Sequence, residues 1–132
     1  MSDKSAILID KIDQVTGDAA FLEAIGHHAL LCHGPGEDSI CPLLTGEGCS
    51  LLTEAHGILF ELDLDQPQHR AILARYKQVV AEDVPIRVVI RPDQVGRYPE
   101  LLRGLKVSTR SPGNAELDGL AAETEAAEYY LG

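Results

Sequence analysis

Gly57-Ile58-Leu59-Phe60-Glu61-Leu62-Asp63-Leu64-Asp65-Gln66-Pro67, with the run from Gln68 to Ile90 behind it, is the stretch that decides the fold. Residues 57–62 are short, apolar and bounded by glycine on one side and an Asp-rich turn on the other, which reads as a buried strand. Pro67 then stands where the first turn of a helix tolerates proline. Ile72, Leu73, Tyr76, Val79 and Val80 follow at spacings of one, four, seven and eight residues. That pattern predicts an amphipathic helix, with Arg70, Arg75 and Lys77 on its polar side. Pro85 closes the helix region, and Ile86-Arg87-Val88-Val89-Ile90 reads as a second strand. A strand, a crossover helix and a strand over this length form a parallel unit.

Working outward, the same alternation recurs. Ala6-Ile7-Leu8-Ile9 is a short strand. Thr16 is placed to cap a helix beginning near Asp18, with Phe21, Leu22 and Ile25 on one face and Gly26 as its stop. Ala29-Leu30-Leu31-Cys32 reads as a strand, His33-Gly34-Pro35-Gly36 as a loop, and Ser50 to Ala55 as a brief helix. A shorter helix is expected from Pro99 to Arg103, a fifth strand at Lys106-Val107-Ser108-Thr109, and a last helix capped by Asn114. Five alternations predict an α/β fold: a three-layer open sandwich with a five-stranded, mostly parallel sheet of the flavodoxin type. The expected organisation is one domain over residues 1–132, carrying a Cys/His loop segment at 32–49 and an acidic helix at 114–131.

Length and composition agree. A chain of 132 residues holds one core, and 45% hydrophobic with 24% charged residues is an ordinary globular balance. No apolar run approaches the roughly 20 residues of a membrane span. The net charge of −10, from 21 acidic and 11 basic side chains, argues against nucleic acid and anionic membranes as partners. The amino-terminal residues lack a basic and then long apolar signal pattern, so a cytoplasmic location is expected.

The charge is unevenly distributed. Between Ile12 and His69 there is no Lys or Arg, yet this stretch holds ten acidic residues, all three cysteines and all five histidines. From Arg70 to Pro112 nine basic residues face four acidic ones. Local negative potential favours bound cations and raises thiol pKa, which points to metal-organised rather than nucleophilic cysteines. Cys32, His33, Cys41 and Cys49 supply soft and borderline donors within eighteen residues, a set suited to Zn or an Fe–S centre, or to redox pairing of two thiols. The alternative is that the cysteines pack as small hydrophobes. His27, His28, His56 and His69 read as surface residues. Glu61, odd inside a strand, is expected to pair with Arg87 or Arg91 or to sit at a solvated edge.

In open α/β sheets ligands bind outside the carboxyl ends of the strands. That rule selects Asp10, Lys11 and Asp13 after the first strand, Cys32 and His33 after the second, Asp63 and Asp65 after the third, Arg91 after the fourth, and Arg110 and Ser111 after the fifth.

On these residues the chain resembles a receiver domain, the phosphoacceptor module of two-component signalling. Ile7-Leu8-Ile9-Asp10 is similar to the first receiver strand, which ends in Mg²⁺-binding acids, and Asp63-Leu64-Asp65-Gln66-Pro67 is similar to the pattern with proline four residues after the phosphoacceptor. The resemblance gives Asp63 the acceptor role and Asp10 a metal role. Lys11 stands where a second acid belongs, Ile90-Arg91 replaces the usual Ser or Thr, and Ser111-Pro112 replaces a lysine before proline. Those departures imply a pseudo-receiver: the fold kept, phosphorylation lost. The cysteine segment is similar to one in small actinobacterial proteins, a likeness that implies no function.

The expectation is therefore a cytoplasmic, non-enzymatic regulatory or sensory binding module, responsive to metal or oxidation through Cys32, His33, Cys41 and Cys49. Its partner is expected to be a protein, or a second copy in a homodimer that sets an acidic half against a basic half. Two alternatives stand beside it: a true phosphoacceptor using Asp63, and a small enzyme or nucleotide or cofactor binder at the strand carboxyl ends.

Overall fold

The structure, a computed structural model, describes residues 6–11, 16–32, 44, 46, 50–80, 83–109 and 117–124. Its elements alternate as the sequence predicts: β1 (Ala6–Lys11), α1 (Thr16–Ala24), β2 (His28–Cys32), α2 (Ser50–Glu54), β3 (Gly57–Glu61), α3 (Pro67–Val79), β4 (Ile86–Val89), α4 (Pro92–Val95), α5 (Pro99–Leu102), β5 (Lys106–Ser108) and α6 (residues 117–124). The five strands form one sheet in the order β2-β1-β3-β4-β5, and every pairing is parallel. The expected mostly parallel sheet is thus wholly parallel.

β1 is flanked on both sides. Leu8 lies beside Leu30 of β2 and Ile58 of β3, and Asp10 beside Cys32 and Phe60. Side chains alternate between the two faces of a strand, so each strand feeds two cores. Leu8, Ile58, Phe60 and Val88 pack against Ile72, Leu73 and Tyr76 of α3 and Leu102 of α5. Ile7, Ile9 and Leu59 pack on the other face against Leu22 of α1 and Leu117, Leu120 and Ala121 of α6. This is the three-layer sandwich.

Local chemistry sets the element ends. Gly26 adopts φ +96°, and the bonds Gly26 N–H to Glu23 O (3.1 Å) and His27 N–H to Leu22 O (2.9 Å) complete a Schellman cap on α1. The cap turns His27 inward, where it is buried, correcting the surface placement expected for it. In α3 the buried positions are His69, Ile72, Leu73 and Tyr76: the predicted stripe gains a histidine at its start and ends at Tyr76, because Val79 is 46% exposed and Val80 only half-buried. His69 too is therefore not a surface residue, whereas His28 and His56 are exposed. The single helix expected from Pro99 to Arg103 is preceded by a second one-turn helix, α4, each begun by a proline at its first turn. The described part of the acidic carboxyl-terminal helix is α6. Arg87 of β4 fastens it through Glu123 (2.6 Å), which also accepts from Lys106 of β5 (2.8 Å). Arg87 thus has a partner in Glu123.

Gly57, the first residue of β3, lies directly beneath α6. A Cβ there would stand 2.3 Å from Oγ1 of Thr124, a buried hydroxyl that donates to Leu120 O at 2.8 Å, but 3.4 Å from its Cβ, an ordinary contact. Gly57→Ala is expected to cost about 1–3 kcal/mol of stability in urea unfolding, as overpacking does. Adding Thr124→Ala removes the clashing oxygen, so the double variant should lose clearly less than the two single losses summed. Additive losses would show that the two residues do not oppose each other.

Candidate functional site

Beyond Glu61 the chain leaves the sheet with Leu62 and Leu64 buried and, alternating with them, Asp63 and Asp65 half-buried. Asp63 Oδ1 accepts the Asp65 N–H at 3.0 Å, and Asp63 O accepts the Gln66 N–H at 3.0 Å. This Asx turn, natural to aspartate, holds both carboxylates at the strand's carboxyl end. His69, in the first turn of α3, lies with Nδ1 3.1 Å from the Asp63 backbone nitrogen. The same Nδ1 lies 3.1 Å from the Asp63 carbonyl oxygen, and burial foremost lowers the His69 pKa against the pull of Asp63.

The other side of the site comes from the residues after β4. Gln94, 2% exposed, donates from Nε2 to Asp63 Oδ1 at 2.8 Å, and its Oε1 accepts the Arg91 N–H at 3.2 Å. Arg91 Nη1 stands 3.7 Å from Asp63 Oδ1. Asp65 is held more tightly. Its Oδ1 accepts from Tyr98 Oη and Arg97 Nη1, both at 2.7 Å, and its Oδ2 accepts from Arg91 Nη2. The Tyr98 hydroxyl foremost, with Arg97 and Gln94 assisting, holds the Asp65 carboxyl down at about 2. Asp93 bridges the two guanidinium groups, to Arg91 Nε at 3.3 Å and Arg97 Nη2 at 3.0 Å. Arg70 lies 5.3 Å over the Tyr98 ring and donates to Leu64 O at 2.8 Å and Tyr98 Oη at 3.3 Å.

Asp10 belongs to a different environment. It is 0% exposed, on the face of the sheet covered by α3, and its Oδ2 accepts from Tyr76 Oη at 2.7 Å. Burial pushes its pKa from 3.8 up to about 6, against the opposing pull of the Tyr76 hydroxyl and the Cys32 thiol. The thiol favours the ionised form, but no group completes a well-formed hydrogen bond to Oδ1 among the described residues. Cys32, half-buried, packs on the same core. His33, Cys41 and Cys49 lie outside the described residues.

The structure thus brings Asp63 together with Asp65 and Arg91, as the strand-end rule selected them, and seats Asp10 with Tyr76 inside the core. Among the described residues no group of three or more His, Cys, Asp or Glu is placed to hold a metal ion. A Mg²⁺ ion of the kind receiver domains use does not fit this donor set: Asp63, Asp65 and Asp93 face the guanidinium groups of Arg91 and Arg97. Gln94 and Tyr98 escaped the reading of the sequence. The visible signal was the spacing Arg91-Pro92-Asp93-Gln94, in which the third helical side chain can reach back to the backbone N–H of the residue before the helix.

No protein-family profile and no curated protein matches the chain. Solved structures do. It is similar to the response regulator DrrB of Thermotoga maritima, an OmpR/PhoB homolog, at 15% identity and TM-score 0.58 over 96% of this chain. It spans 54% of DrrB, about half that protein's length. A sensor protein from Polaromonas sp. JS666 matches at 15% identity and TM-score 0.58, with 97% of this chain and 98% of that one covered. The phosphorylated cyanobacterial phytochrome response regulator RcpA matches at 16% identity and TM-score 0.51, covering 96% and 93%. At these identities the likeness is one of fold: the chain has the receiver fold. No helix among the described residues is long and apolar enough to cross a membrane.

The Asp10 carboxyl generates a prediction. Its folded pKa lies above its unfolded value, so the folded state binds the proton more tightly. The associated stability is present below about pH 4 and is lost as pH rises through about 6, a loss on the order of 3 kcal/mol by pH 8. Asp10→Asn should flatten that slope in urea unfolding compared at pH 5 and pH 8. Tyr76→Phe, which deletes the bond favouring the ionised form, should steepen it. An Asp10→Asn slope equal to that of the unaltered protein would remove Asp10 as its source.

Proposed function

We propose that this domain is a regulatory binding module of the pseudo-receiver type, which works through a protein partner without carrying a phosphoryl group. The observation that supports it is the state of the two carboxylates at the end of β3. Asp63 Oδ1 is taken by the Asp65 N–H, the Gln94 amide and, at longer range, Arg91, while both oxygens of Asp65 are bound by cations and a hydroxyl. Phosphoryl transfer to a carboxylate needs that carboxylate free to attack, and a divalent ion to neutralise charge on the transferred oxygens. The Oδ1 side of Asp63 is restricted here, and the second has no set of donors among the described residues. Guanidinium groups at fixed positions supply structure instead. The net charge of −10 makes a protein surface a better partner than nucleic acid.

Incubation with acetyl phosphate and Mg²⁺, followed by intact-mass analysis, tests this reading. The expected result is no phosphoryl adduct. A base-labile adduct that disappears in Asp63→Asn would overturn the proposal and make Asp63 a working phosphoacceptor.

A further inference from the structure

We propose that Asp65 is an ionic latch that holds the connection between β4 and β5 closed against the end of β3 in the unmodified protein. This deepens the reading of the domain as one that works without a phosphoryl group, and rests on it.

The connection runs from Arg91 to Leu105 and contains only α4 and α5, four residues each. Helices of one turn do not hold themselves together, because nucleation costs more than a single turn returns. Their backbone bonds are local: Gln94 N–H to Arg91 O, Arg97 and Tyr98 N–H to Gln94 O, Leu102 N–H to Tyr98 O. What fixes the connection to the sandwich differs between its halves. The second half is fastened by packing, with Leu102 8% exposed in the core and Lys77 of α3 donating to the carbonyls of Glu100 and Leu101. The first half has less apolar anchorage: Val95 is 41% exposed and Arg91 and Arg97 are exposed, while Tyr98, at its end, packs partly buried on the core and meets Arg70 of α3. Its ion pairs to the body run to Asp63 and Asp65.

Of these two, Asp65 carries more. It receives Arg91, Arg97 and Tyr98 on its two oxygens, three donors spread over the whole first half. Asp63 receives Gln94 and, at 3.7 Å, Arg91. Asp93 holds the two guanidinium groups side by side, so Asp65 meets a fork that is already assembled, and networks of this kind outweigh isolated surface pairs. On its own side Asp65 is fixed by the Asx turn that its backbone N–H makes with Asp63. One carboxylate therefore gathers three of the donors that join the two loops at the carboxyl edge of the sheet, with Asp63 and Arg70 adding single ties to Gln94 and Tyr98.

Hydrogen exchange on the full chain, followed by mass spectrometry with no phosphodonor present, tests the latch. In Asp65→Asn the amides of Gln94, Arg97 and Tyr98 are expected to exchange at least about tenfold faster, with β1 and β3 unchanged, the signature of local opening. Asp63→Asn should keep most of that protection. If Asp65→Asn unfolds globally, Arg97→Gln, a change at an exposed side chain, is expected to give a smaller acceleration at the same amides. Protection unchanged in Asp65→Asn or in Arg97→Gln, or lost equally in Asp63→Asn, would overturn the latch. Phosphoryl labelling of Asp63 in a protein whose Asp65 latch behaves as expected would overturn the preceding proposal alone.

Discussion

β1 and β3 lie side by side at the centre of the sheet with both faces covered. Ile7, Leu8 and Ile9 on one strand and Ile58, Leu59 and Phe60 on the other are at most 1% exposed. Apolar burial at about 25 cal/mol per Å² is the main force that assembles such a pair, and a strand covered on both faces tolerates few polar side chains along its length. Polarity is therefore pushed to the strand ends. The strand order reverses between β1 and β3, since β2 lies to one side and β4 and β5 to the other. At that reversal the connections leave in opposite directions, so the carboxyl ends of the central strands are where the fold leaves room for chemistry. The placement of Asp63, Asp65 and Arg91 follows from packing before any function is considered.

Asp10 is the exception that measures the rule. It pairs with Phe60, three positions before Asp63 in register, and is covered by α3, where Tyr76 supplies its hydrogen bond. Tyr76 serves two ends at once: its ring meets Phe60 edge-on, centroids 6.2 Å apart at 86°, while its hydroxyl reaches the carboxyl beneath. An aromatic ring with a polar tip is the side chain suited to a core that contains one acid. The arrangement limits the cost of burying Asp10 without removing it, which is why its pKa rises toward 6 although two neighbours pull it down.

Much of this was legible in the sequence because it depends on periodicity. The apolar runs at 6–9, 57–62 and 86–90 and the stripe from Ile72 to Val80 fix strands, crossover helix and parallel order with no tertiary information, and Gly26 as a helix stop is a local property of positive φ. What escaped depends on distance in three dimensions. His69 looks polar and exposed in a sequence; it is buried because the Asp63 turn folds back over the first turn of α3 and offers it an N–H. His27 is buried because the Schellman cap directs the chain inward. Gln94 and Tyr98 carry no signature until a β4 loop and a β3 loop are seen to meet. Asp10 and Asp63 share a strand-end position in the sequence, yet Asp10 meets Tyr76 in the core whereas Asp63 meets Gln94 at the edge, a difference set by contacts distant in sequence.

Asp10 and Asp65 illustrate the different demands that interior and edge place on a fold shared with solved structures at 15–16% identity. Inside, what matters is volume and apolarity, which many side chains satisfy, and even an acid is accommodated if a hydroxyl meets it. At the edge the requirement is charge balance between loops. Arg91 and Arg97 meet it with Asp65 and Asp93 at 2.7–3.3 Å through several of their contacts, and Gln94 joins Asp63 to the Arg91 backbone. Guanidinium groups are permanently charged and forked, so they bridge carboxylates from two loops without a metal ion or a covalent modification. A sheet edge assembled this way holds the loops after β3 and β4 at fixed positions. Fold and edge are thus set by different residues: the apolar strands carry the first, and the second rests on which charges the two loops after β3 and β4 bring together.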